Sequence, residues 1–129
     1  MKGAALLPAL WACAGAIGCA LPANELQVAG RDGAIVLSFR PEPAGFSVDR
    51  PFSLIVHGCS RQPLTLLSVD AHMPEHRHGM NYKASLAVIA PGTWRADGLL
   101  LHMPGKWEFV FVAMVDGQSE RLTLVTQVP

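Results

Sequence analysis

The sequence predicts an all-β protein: an immunoglobulin-like β-sandwich of seven to eight strands behind an N-terminal signal segment. Three observations support this. Ten Pro and twelve Gly are scattered among short apolar runs, which requires many turns. The runs are β-branched, aromatic or alternating, as half-buried strands are. No stretch keeps a convincing helical period over about ten residues. Length and composition narrow the rest. At 129 residues the chain has room for one domain. Half of it is apolar and only 16% is charged, which excludes a disordered chain. The formal net charge is zero and no Lys/Arg stripe exists, which argues against nucleic acid as a partner.

In chain order, the first element is not part of the sandwich. Lys2 is the only charge before Glu25, and Leu6 to Ala20 is apolar and ends in small residues. That is the pattern of a secretory signal peptide, here residues 1–20. A permanent membrane helix fits less well, because Pro8 interrupts the run, Ala and Gly fill it, and it barely reaches the ~20 residues a span needs. Two ends of the signal stay open. Ala16-Ile17-Gly18-Cys19 resembles a lipobox without its usual Leu, which would make Cys19 an acylated first residue; a cut after Ala20 serves equally. The expected location is periplasmic, or lipid-anchored facing the periplasm. The domain proper is residues 25–129. Cys59 is then its only assured thiol, expected to be buried and inert.

Ala34 to Phe39 is the first clear strand, and Pro41-Glu42-Pro43-Ala44-Gly45 is expected to stop it. Phe52, Leu54 and Val56 alternate with Ser53, Ile55 and His57. Leu64 to Ala71 alternates loosely. Tyr82 to Ala90 closes at Pro91-Gly92, and Thr93 to His102 closes at Pro104-Gly105. The last hairpin is the strongest signal: Trp107, Phe109, Phe111, Ala113 and Val115 share one face, and Asp116-Gly117 makes a tight turn. Leu122, Leu124, Thr126 and Val128 then return. Val110, Val112 and Met114 make the opposite face apolar too, so this strand is expected to be central, covered on both sides or near an interface. Strand number and spacing suit a sandwich, with a small barrel as the alternative.

Histidine and methionine are concentrated. Residues 72–103 hold four of the five His (His72, His76, His78, His102) and three of the five Met (Met73, Met80, Met103). His-Met-Pro occurs twice, each time where a strand meets a Pro-containing turn. Taken singly, each residue has a structural explanation: Met fills gaps at strand ends, and His caps carbonyls or faces solvent. Taken together they read as a metal site. Zinc rarely takes a thioether. Calcium and magnesium want oxygen, and only Asp70 and Glu75 are near. Thioether plus imidazole suits copper, Cu(I) ahead of Cu(II). Thiolates oxidise readily outside the cytoplasm, so Met and His are the practical ligands there. The first choice of ligands is His72, Met80, His102 and Met103, with His76 and His78 as a second, looser site or an entry path.

An enzyme is not expected. No Gly-x-Ser-x-Gly elbow and no Gly-rich phosphate loop is present, and His57 and Cys59 share a strand face as chance often arranges.

The segment Asp70-Ala71-His72-Met73-Pro74-Glu75-His76-Arg77-His78-Gly79-Met80-Asn81, with Gly92-Thr93-Trp94 and His102-Met103-Pro104-Gly105-Lys106-Trp107, resembles the YtkA-like domain and its FixH-like relatives. The resemblance spans about Phe52 to Val115. It implies an immunoglobulin-like sandwich outside a membrane and an association with copper handling. The FixH pattern's retained transmembrane helix is missing here. Copper is thus the expected ligand, bound for buffering or delivery, and a periplasmic protein the expected partner. The alternative is a metal-free interaction module whose His-Met-Pro loops bind a protein such as a redox enzyme.

Overall fold

Every regular element in the computed structural model, which describes residues 19–129, is a strand. In chain order these are β1 (Leu26–Ala29), β2 (Ile35–Glu42), β3 (Phe52–Ser60), β4 (Leu64–Met73) and β5 (His78–Gly79). They are followed by β6 (Ser85–Ala90), β7 (Thr93–Leu99), β8 (Gly105–Val115) and β9 (Gln118–Val128). All pair antiparallel, in a five-stranded sheet ordered β1-β2-β3-β7-β6 and a four-stranded sheet ordered β5-β4-β8-β9. The predicted all-β sandwich is the fold. The signal-peptide reading falls almost wholly on residues 1–18, outside the described residues. No helix among the described residues is long and apolar enough to cross a membrane.

Period-two alternation makes the core. Leu37, Phe39, Leu54 and Val56 point inward from one sheet and meet Val69, Trp107, Phe109 and Phe111 from the other. Phe39 bridges the layers, with ring centroids 5.7 Å from Phe109 and 4.8 Å from Phe111. Phe46, from the β2–β3 connection, closes one side at 5.1 Å from Phe109. The expected final hairpin is present as β8–β9, with Asp116 and Gly117 at φ 54° and 74°. Both angles are positive, which the right-handed twist of a two-residue hairpin demands. β8 is interior to its sheet, and Val110 on its second face is buried.

Three readings need correction. Among the described residues the strands number nine, not seven to eight, because β1 and β5 are too short to be read from sequence. Pro41 does not stop β2, which runs to Glu42 in register with β3. β1 pairs no further than Phe39, so the Pro41 stretch has a neighbour on one side only, where a missing N–H is tolerated. Cys59 is not a lone thiol: it is bonded to Cys19.

The two sides of the sandwich differ. At one, Glu120 of β9 accepts the backbone N–H of Arg31, just past β1, and so links the two sheets. At the other lies β6, an edge strand with no charged residue and with Val88 and Ile89 exposed.

Candidate metal centre

β4 delivers its last three residues to alternate faces. Ala71 and Met73 are fully buried, so His72 between them projects from the outer face. There it lies opposite Glu108 of β8, its Nε2 3.9 Å from Glu108 Oε1. The chain then turns back: His76 N–H donates to Met73 O at 3.2 Å, and Arg77 takes a left-handed conformation at φ 53°. β5 returns with His78 directly opposite Met73 and Gly79 opposite His72. Directly opposed residues in an antiparallel ladder project to the same side. His78 therefore shares the side of Met73, away from His72. Met80 N–H donates to Ala71 O at 3.3 Å, and the Met80 side chain packs, half-buried, on the core edge.

The β7–β8 connection supplies the second half. Leu99 and Leu101 are fully buried, and Leu101 O accepts the Asp49 N–H at 2.8 Å, which fixes the start of the loop. Trp107 donates its Nε1–H to Met103 O at 2.9 Å and fixes the end. Gly105, at φ 132°, brings the turn against β4; a Cβ there would stand 2.8 Å from the Met73 methyl. That positive φ is one L side chains rarely adopt, so glycine suits the turn.

These constraints bring His102 to His78, with ring centroids 5.8 Å apart. His76 lies beyond, exposed, its ring 6.1 Å from His78 and nearly parallel to it. On the other side His102 meets Trp107 edge-on, at 5.5 Å and 86°. Nδ1 of His102 is buried and has no hydrogen-bond partner. Leaving such an atom unpaired costs about 1–3 kcal/mol. Among the described residues no three His, Cys, Asp or Glu side chains stand close enough together to hold a metal. Nitrogen ligands here therefore number two at most without rearrangement, and further donors must be thioethers: Met103 and Met80, both half-buried, or fully buried Met73.

Of the seven sequence candidates, six surround this end of the sandwich on its inner side or in its loops. His72 is set apart by strand parity. Trp107 escaped notice as a neighbour of the site, although its place just after His-Met-Pro-Gly-Lys was the available signal.

A second polar cluster lies elsewhere, on the outer face of the five-stranded sheet. The Glu25 side chain, only 3% exposed, accepts from Ser38 Oγ at 2.8 Å and meets His57 Nδ1 at 2.8 Å and Arg40 Nε at 3.2 Å. Beyond it Arg95 joins Asp97, Ser53 and Glu42. The Ser53 hydroxyl, then the Arg95 guanidinium, hold the Asp97 carboxyl below the usual carboxylate range; Arg40 foremost does so for Glu42. His57 of this cluster is a partner of Glu25.

Comparison with protein-family models, with curated proteins and with solved structures gives no match.

Proposed function

We propose that this domain is an exported copper-binding protein that buffers or delivers Cu(I). Its chemistry would be of the kind the YtkA-like and FixH-like resemblance implies. The observation that carries the reading is the His102 imidazole. It has one buried nitrogen left without a partner, a second imidazole at 5.8 Å and the thioether of Met103 next in sequence. An unpaired buried nitrogen is a cost to the empty domain and a ready lone pair for a soft cation. Cu(I) accepts few ligands and takes imidazole and thioether together. His78 and His102 would supply nitrogen, and Met103 and Met80 sulfur. The exposed His76 and His78 would meet an arriving ion first. Copper would add a coordination bond where the apo domain has an unsatisfied atom, and the Trp107 ring would wall off water behind it.

Competition titration against a colorimetric Cu(I) chelator, with Trp fluorescence as a second signal, tests this. We expect one ion per chain. The His78→Ala/His102→Ala pair should weaken affinity on the order of a hundredfold or more while the domain stays folded. His72→Ala should leave it within about twofold, since that ring faces the other way. No binding by the wild type at micromolar copper would overturn the reading and favour the metal-free module that recognises a protein partner.

A further inference from the structure

The stretch from Cys19 to Glu25 is tied down at both ends on one face. Cys59 lies two residues from His57 on the outer side of β3, and Cys19 is bonded to it with the Cα atoms 5.7 Å apart. Glu25, six residues after Cys19, reaches the same face and takes Ser38, His57 and Arg40 as partners. Cys59 is buried beneath this crossing, while Cys19 is exposed above it. The Glu25 contacts and the β1–β2 ladder that starts at Leu26 hold the far end of this stretch on the face where Cys59 lies.

We propose that Cys19 belongs to the folded domain as a half-cystine, that any leader is removed before it, and that its sulfur is therefore not a lipid acceptor. The chemistry is exclusive. A diacylglyceryl thioether and a disulfide use the same Sγ, and one atom cannot make both bonds. Forming the disulfide removes one hydrogen from each thiol; the two electrons and two protons pass to a disulfide oxidant, which becomes a dithiol. An exported chain meets such oxidants. Cysteine counting agrees. The chain has three Cys, and removal of a leader containing Cys13 leaves two, which pair. Ala14-Gly15-Ala16 provides small residues at the spacing a signal-peptide cut requires, and a cut there retains Cys19. The inference does not rest on copper binding and stands or fails separately from it.

The test is to express the full chain in an exporting bacterial host and purify it without reductant. The protein is then unfolded, treated with iodoacetamide and digested for mass spectrometry. The expected result is a Cys19–Cys59 cross-linked peptide, no alkylation at either residue, and an N-terminus upstream of Cys19. A lipid adduct on Cys19, alkylated Cys59, or an N-terminus at Leu21 would each overturn the proposal. A second measurement covers the crossing itself. Dithiothreitol should lower the thermal midpoint of the wild type by on the order of 10–20 °C, because the bond closes a loop spanning 40 positions. It should leave that of Cys59→Ser unmoved. A wild-type midpoint indifferent to reductant would mean that the bond does not form in the folded protein.

Discussion

His102→Leu separates a structural histidine from a ligand by the sign of a stability change. In the wild type Nδ1 of His102 is buried without a partner, a cost of about 1–3 kcal/mol. Leucine removes that atom and keeps apolar bulk at the site. The loss is the edge-on contact with Trp107, 5.5 Å between centroids, worth about 0.5–1.5 kcal/mol. The difference favours the variant by about 1 kcal/mol, which for a domain of this size is a rise in midpoint of roughly 4–8 °C. The assay is urea and thermal unfolding of both proteins with EDTA present. His57→Leu is the internal control. That ring holds Glu25 Oε1 at 2.8 Å, so the same substitution takes one of three partners from a buried carboxylate, with Ser38 and Arg40 left to it, and should destabilise by about 1 kcal/mol. Opposite signs at the two histidines are expected, with copper affinity lost only at His102. If His102→Leu destabilises the apo domain by more than about 1 kcal/mol, the imidazole is a structural element and the ligand argument fails.

Phe109→Ala empties a fully buried position between Phe39 and Phe46 and should cost about 3–5 kcal/mol, leaving a domain that melts early or not cooperatively; near-wild-type unfolding would mean that the inter-sheet aromatic packing is wrong. Acid should weaken the sandwich through Asp97, whose carboxyl is held below its ordinary value by Ser53 and Arg95. A depressed folded-state pKa stabilises above the unfolded value and is lost as pH falls through the folded one, so the effect belongs below about pH 4. Asp97→Asn should flatten the urea midpoint over that range, and an unchanged acid limb would exclude the pair as its source.

The final hairpin could be read from sequence because two independent signals agree there: strict alternation from Trp107 to Val115 and an Asp-Gly pair that accepts positive φ. β1 and β5 could not. Four residues and two residues carry no measurable period, and they pair only because β2 and β4 offer free edges. Pro41 misled because a proline ends a strand only where its N–H is needed. The disulfide was hidden by an assignment elsewhere: giving Cys19 to the signal segment left Cys59 without a partner on paper. At the candidate site, composition drew together residues that the structure gathers at one end of the sandwich, with the His72 ring on the other face. Adjacent residues on a strand face opposite ways, so the strand assignment alone separates the His72 ring from the Met73 side chain, although the composition groups them. That His78 shares the side of Met73 follows from the β4–β5 register, a two-residue pairing that no pattern announces.

The uncharged edge of β6 governs how this protein behaves when crowded. On the opposite margin a Glu120–Arg31 link joins the layers and Glu120 and Arg121 put charge on β9, while β5 is too short to template a neighbour. β6 keeps six residues of open backbone, with Val88 and Ile89 bare beside it and no lysine, proline or acid within the strand to deter a newcomer. Concentration should therefore favour association through this strand, and Val88→Lys, which sets a charge on the bare edge, should reduce it.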